Sequence, residues 1–313
     1  MFARTAITKF KHMKPTTDFE VIIIGGSYSG LSAAMALGRS LRNTLIIDAG
    51  KPCNRQTPHS HNFLTQDGST PQEITEIARK QVAKYDTVKF YHGTAIGGKK
   101  VEGGFDIKTS GGDIFHTKKL ILATGIKDLM PSIEGFTECW GISVVHCPYC
   151  HGYEIRNKKT AIMANGDTAI HLASLVNNLS KDITILTEGE KTFEDQQLQK
   201  LSKHGIKILE KEISAIEHEA GYMKNIHFKD GSRETFEAAY AAIPFEQNAI
   251  PVELGCKLTE NGYIEVGPMG KTSVDGVLAC GDNSYMMRSV ATAVYSGNMA
   301  GAVINHELTQ EGF

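Results

Sequence analysis

The sequence predicts an α/β chain: two Rossmann-like, three-layer ββα nucleotide-binding domains, the second inserted in the first. Three observations carry that reading. A strand, a glycine turn, a helix, a strand and an acid follow one another between Val21 and Asp48. A second βαβ-like unit runs from Thr160 to Leu186. Two further strand-and-glycine blocks, Lys118–Gly125 and Thr272–Asp282, flank that second unit, so the first unit is completed only after the second has been made. A chain of 313 residues has room for two domains. The expected division is 18–126 with 244–313, enclosing 127–243.

Residues 1–17 are mildly basic (Arg4, Lys9, Lys11, Lys14), with no acid before Asp18. They lack the apolar core of a secretory signal and read as a short disordered leader. Val21-Ile22-Ile23-Ile24 is an apolar β-branched run, followed by Gly25-Gly26-Ser27-Tyr28-Ser29-Gly30. Leu31, Ala34, Met35, Leu37 and Gly38 then have helical spacing, and Thr44–Ile47 is a strand ending in Asp48. Gly25 allows the turn, and Gly30 lets the helix pack closely on the strand. The free N–H groups at the helix start face a pyrophosphate. Asp48 lies where a carboxylate accepts hydrogen bonds from a ribose. Ser27 stands at the middle glycine of G-x-G-x-x-G, so the order of elements carries more weight than the glycines; a purely structural turn is the alternative.

Leu120–Ala123 reads as a buried strand stopping at Thr124-Gly125. Val277–Ala279 is a short strand leading to Gly281-Asp282, and a helical pattern follows from about Arg288. Asp282 is placed to accept hydrogen bonds from a polyol, and the helix behind it directs its positive end forward. In the second unit, Thr160–Met163 is a strand, Ala164–Ala169 its turn, Ala169–Leu179 a helix and Ile183–Leu186 the next strand. Lys181–Lys211 is charge-rich and reads as a solvated helix face.

The chemistry concentrates at Cys147-Pro148-Tyr149-Cys150-His151. Two cysteines at this spacing can close a small reversible disulfide, and a neighbouring imidazole can hold or move a thiol proton. Zinc would need a second pair of ligands. The other cysteines (Cys53, Cys139, Cys256, Cys280) are scattered singly. The pattern reads as a redox disulfide, with zinc and an inert buried pair as the alternatives. Isolated thiols suit a reducing, cytoplasmic compartment. Hydrophobic content is 41%, charged content 22% and formal net charge -2, which gives no basic surface for nucleic acid. The apolar runs have strand length and are too short to cross a bilayer.

The ordered set Gly25 to Gly30, Asp48, Ala123-Thr124-Gly125, Cys147 to Cys150, Gly166 to Ala169 and Gly281-Asp282 resembles the low-molecular-weight thioredoxin reductase family, over about residues 18–308. The resemblance implies an FAD domain, an inserted domain carrying the redox disulfide and a nicotinamide site, and a homodimer. It implies that Gly25, Gly26, Ser27 and Gly30 hold the FAD pyrophosphate, Asp48 the adenosine ribose and Asp282 the ribityl chain. Thr124 and Gly125 complete the FAD site. Ser289 and Val290 offer backbone N–H groups to the flavin pyrimidine, and Asn62 an amide near the isoalloxazine. Cys150 is then the flavin-facing thiol, and Cys147 the one that exchanges with substrate.

The sequence also departs from that family. His151 replaces an acid, and Cys147-Pro148-Tyr149-Cys150-His151-Gly152-Tyr153-Glu154 resembles the dithiol oxidases that close the disulfides of gliotoxin and holomycin. In the inserted unit Ala164 replaces the first glycine, Thr187-Glu188-Gly189 the basic cluster that meets a 2'-phosphate, and His171 the acid beside the nicotinamide. These changes predict loss of NADPH use, with NADH held by Glu188 as the alternative. The expected function is a dithiol oxidase passing electrons from a small dithiol through FAD to oxygen, with no metal. His151 is expected to take the substrate thiol proton and to stabilise the thiolates. A disulfide reductase of thioredoxin-like proteins, driven by NAD(P)H or another donor, is the first alternative. An NADH-dependent flavoprotein or flavin sensor with vestigial cysteines is the second.

Overall fold

The computed structural model of the chain describes residues 18–313; the expected leader, 1–17, lies outside it. The first sheet places Val88–His92, Thr44–Asp48, Asp18–Ile24 and Ile114–Leu122 side by side and parallel. Val277–Ala279 adds to Ile114–Leu122 in parallel, which returns the end of the chain to the first unit. Ala95–Val101 and Gly104–Thr109 join the start of Ile114–Leu122 as an antiparallel meander.

The continuous apolar run Val21–Ile24 is explained by burial on both faces. Val21 and Ile23 pack with the helices Tyr28–Arg39 and Val290–Gly312, while Ile22 and Ile24 pack on the meander side with Phe105 and Ile107. Each such fully buried side chain contributes roughly 1.5–3 kcal/mol. The two helices approach closely because their contact is made of small residues. A Cβ on Gly297 would lie 2.0 Å from the Ser29 carbonyl oxygen, and one on Gly301 would lie 2.6 Å from that of Ala33.

The second sheet is also parallel, in the order Lys207–Leu209, Ile183–Leu186, Thr160–Met163, Ala238–Ala241, Val144–Val145. One face carries the helix Gly166–Val176, over a core that includes Ile162, Ile185 and Tyr240. The other carries an antiparallel sheet, Ile213–Glu219, Tyr222–Phe228 and Arg233–Thr235, over Ala161, Met163 and Phe236. Sheet, sheet and helix give the three layers that the sequence predicts. All of these strands lie between Leu122 and Val277, so the second unit is inserted in the first. The chain passes between the sheets at a two-stranded ribbon, Lys127–Asp128 against Phe245–Glu246. The helix predicted over Ala169–Leu179 starts three residues earlier, because Asn165 caps it through its own side chain. Among the described residues no helix is long and apolar enough to cross a membrane.

Candidate active site

A cavity of about 520 Å³ opens where the strands of the first sheet end and reaches the short helix Pro148–His151 of the second unit. Gly25 makes the first turn at φ +106°, and a Cβ there would lie 2.1 Å from the Ala123 carbonyl oxygen. A Cβ on Gly26 would lie 2.8 Å from Cβ of Asp48, so this glycine keeps the space beside the carboxylate open. Gly30 acts in packing: its Cβ would meet the Gly25 carbonyl oxygen at 1.9 Å. Ser27 is the N-cap of Tyr28–Arg39 and makes no side-chain capping bond, leaving first-turn N–H groups for an anion.

Gly25, Gly26, Ser27, Asp48, Thr124 and Gly125 line the cavity, as do Asp282, Ser289 and Val290. Gly30 lies behind the wall. Asn62 is exposed, in left-handed backbone at φ +58°, with its N–H donated to Asp67 at 2.7 Å. It is not on the cavity wall, where Ser60 and His61 stand instead. Open glycine space, free N–H donors and carboxylates at two strand ends fit an FAD. So do buried polar atoms without protein partners around the cavity, His146 Nε2 and His151 Nδ1 among them.

The cysteine pair caps the short helix. Pro148 occupies its first turn, and Cys147 is the N-cap whose sulfur accepts from the Cys150 N–H at 3.2 Å. Cys150 lines the cavity and Cys147 does not. Both are free thiols here. A hydrogen bond from the Cys150 thiol, seconded by the N–H groups of Cys150 and Tyr149, brings Cys147 down to about 7 against its burial. The same hydrogen bond, with burial, pushes Cys150 far above the ordinary thiol range. The reduced pair is therefore a Cys147 thiolate held by a Cys150 thiol.

His151 differs from expectation. Burial, with His61 nearby, lowers it to about 4, so the imidazole is neutral near pH 7 and a weaker base than an ordinary histidine. It does not stand ready as a cation beside the thiolates; backbone N–H groups and the partner thiol do that work. Burial, Arg288 and His151 lower His146 to about 3.

The sequence reading missed a buried ion pair. Arg288 Nη1 lies 3.0 Å from Asp128 Oδ1, with the side chains only 13% and 7% exposed. Trp140 Nε1 donates to Asp128 Oδ2 at 3.2 Å, and Arg288 Nε lies 3.8 Å from Asp282 Oδ2. The Cys53 thiol donates to Asp282 at 3.7 Å and is pushed up to about 12 by burial. Arg288 and Asp128 stand 160 residues apart in sequence, with no spacing signal to join them.

In the second βαβ turn the chain itself caps the first N–H of the helix. Asn165 Oδ1 accepts from the N–H groups of Gly166 at 2.9 Å and Thr192 at 3.0 Å, and Asn165 Nδ2 donates to the Glu190 carbonyl at 2.9 Å. Asp167 accepts from Gln197 Nε2 at 2.6 Å. Glu188 Oε1 accepts from the Ile213 N–H at 3.0 Å, so one of its carboxylate oxygens is tied to backbone. His171 is exposed.

A dinucleotide cradle that faces a C-x-x-C pair on an inserted α/β unit defines a two-domain disulfide oxidoreductase. The chain belongs to the pyridine nucleotide-disulphide oxidoreductase family, whose sequence profile matches residues 19–297. It is therefore an enzyme acting on sulfur groups, and the family implies FAD and a nicotinamide dinucleotide. It is 32% identical to the thioredoxin reductase tcpT of Claviceps purpurea, over 95% of this chain and 96% of that one. It is 31% identical to the thioredoxin reductase sirT of Leptosphaeria maculans, over 92% and 94%. Among solved structures, an oxidoreductase from Agrobacterium tumefaciens matches with a TM-score of 0.88 at 36% identity, over 94% of this chain and 99% of that one. The crystal structure of HlmI matches with a TM-score of 0.88 at 27% identity, over 94% of each. The resemblance to thioredoxin reductases, and to their gliotoxin- and holomycin-type branch, is borne out.

Proposed function

We propose that this chain is an FAD-dependent dithiol oxidase, working in the cytoplasm as a homodimer, with 127–243 as the unit that carries the cysteine pair. The observation that carries this reading is the contrast between its two cradles. The first is open beside Cys150, and in the second Asn165 bonds to Gly166, Thr192 and Glu190 across the helix entrance. A chain whose nicotinamide cradle is bonded across by its own residues takes its electrons from the thiol side.

A small dithiol loses one S–H proton to neutral His151, and its thiolate attacks the Cys147 sulfur of the closed disulfide. The Cys147–Cys150 bond breaks, and Cys150 leaves with the electron pair. The second substrate thiolate then attacks the substrate sulfur of the mixed disulfide. Cys147 leaves as the thiolate that the Cys150 thiol and the helix N–H groups already favour. The substrate departs as a disulfide, two electrons poorer. Cys147, off the cavity wall, meets substrate, and Cys150, on the wall, faces the cradle. Gly25, Gly26, Ser27, Asp48 and Asp282 would hold FAD, which supplies the two-electron acceptor that restores the disulfide, with oxygen as the final oxidant.

Anaerobic stopped-flow mixing of the yellow holoenzyme with dithiothreitol, NADPH or NADH tests the proposal. Dithiothreitol should bleach the flavin rapidly, and both nicotinamides slowly. The names carried by the relatives favour a second reading, a disulfide reductase. Bleaching by NADPH or NADH on the mixing timescale would establish that reading and overturn the first.

A further inference from the structure

We propose that His61 and Glu154 form the route by which a proton leaves the redox centre. The inference rests on the dithiol reading above, and it begins with a balance. A dithiol plus the enzyme disulfide gives a substrate disulfide, one enzyme thiol, one enzyme thiolate and one free proton. Two substrate S–H protons are released, Cys150 keeps one, and the other must reach water. His151 accepts it first, but its Nδ1 is buried and has no protein partner. Held so weakly, the proton needs a neighbouring acceptor that leads to water.

His61 lines the same cavity as His151, yet it comes from the first unit, in the loop before the helix Pro71–Val82. Its Nδ1 lies 3.6 Å from Oε1 of Glu154 and 3.7 Å from Oδ1 of Asp67. Glu154 follows His151 by three residues, so the redox segment itself supplies one of the two carboxylates. The His61 side chain is 20% exposed, that of Glu154 39% and that of Asp67 68%, a gradient running outward to solvent. His59 completes the surroundings, its ring 6.4 Å from that of His61 and its Nδ1 on the Gly68 carbonyl. The other histidine of the centre, His146, is a poor exit, because burial, with the Arg288 cation, opposes a positive charge there. An imidazole between a buried base and two wet carboxylates is the arrangement that passes a proton outward.

The test uses holoenzyme variants His61→Ala and Glu154→Gln, mixed with dithiothreitol under argon in weak buffer with a pH-indicator dye. Wild type should release one proton per substrate disulfide formed, in step with the exchange. In both variants proton release and the second dithiol exchange, which follows once the flavin has restored the disulfide, should slow about tenfold, a modest share of what a positioned acid–base group contributes. Added imidazole should restore His61→Ala. Wild-type proton release in both variants would overturn the proposal, and so would a slowing that imidazole leaves untouched. Should His61→Ala lose its flavin, Glu154→Gln carries the same test, since the change is isosteric and partly exposed. A Cys147→Ser control separates the two layers of argument. If that variant takes electrons from dithiothreitol as wild type does, it is the dithiol reading that fails.

Discussion

In the turn Gly25–Gly30, a Cβ on Gly26 would lie 2.8 Å from Asp48, and the space left without one opens to the cavity. In the turn Ala164–Ala169, Asn165 caps the Gly166 N–H with its own amide and ties the helix entrance to Thr192 and Glu190. Both turns join a parallel strand to a helix. A helix N-terminus is an anion site only while its donors lack partners from the same chain. The second sheet loses nothing by this closure, because its core is made of Ile162, Ile185, Leu172 and their neighbours. A βαβ unit can keep its fold and give up its ligand when cradle and core are built from different residues.

Four experiments would break or sharpen that comparison. The largest effect belongs to the cysteines, since the second unit's remaining task is to present them. Cys150→Ser should reduce dithiol-driven flavin reduction to the uncatalysed level. Cys147→Ser should also stop turnover, yet develop a broad long-wavelength absorption as pH rises, from the Cys150 thiolate beside the flavin. A band in Cys150→Ser instead would reverse the two roles. Next come paired substitutions in the two turns. Gly26→Val drives a side chain into Asp48 and should weaken FAD retention about a hundredfold, near 3 kcal/mol. Gly166→Val should stay yellow and lose only about 1–2 kcal/mol of stability, for strain at φ +54°. Equal flavin loss in both would erase the distinction.

The third effect is a pH profile. Cys147 is an acid whose folded value, about 7, lies below its ordinary 9.0. Its thiolate therefore stabilises the reduced enzyme fully above pH 9, and that contribution is lost as pH falls through 7. Iodoacetamide modification of Cys147 in the reduced enzyme should rise with a midpoint near pH 7; a midpoint at 9 would remove the helix-cap account. The smallest effect is that of Asn165→Ala. It should lower stability by about 1 kcal/mol, as loss of an N-cap does, with flavin content unchanged in absorbance spectra. A rapid response to NADPH in this variant would show that Asn165 alone had closed the second cradle.

Much of this was legible because it is local. Val21–Ile24, the glycines behind it, Asp48 and the C-x-x-C pair each declare themselves within a few residues, through periodicity or spacing. What was hidden depends on distance or burial. Arg288 and Asp128 meet only because the ribbon brings position 128 beside the foot of the last helix. The neutrality of His151 is set by the walls around it, which spacing does not encode. Glu188, the alternative ribose ligand, accepts from the N–H of Ile213, 25 residues on, a contact that local spacing does not encode. Asn62 was placed by family analogy, and the left-handed backbone turns it out to solvent while His61 takes the cavity wall.

Asp128 belongs to the Lys127–Asp128 and Phe245–Glu246 ribbon through which both chain crossings pass, and its partner Arg288 immediately precedes the N-cap of Val290–Gly312. The pair therefore acts as a bolt across a tether. A displacement that took Asp128 off Arg288 would leave two buried charges without their partner. Removing one partner of a buried pair by substitution costs about 3–5 kcal/mol, because the other charge is left uncompensated. The bolt ties the strand through which the chain leaves the first sheet to the segment that leads into the final helix, two stretches that the sequence sets 160 residues apart.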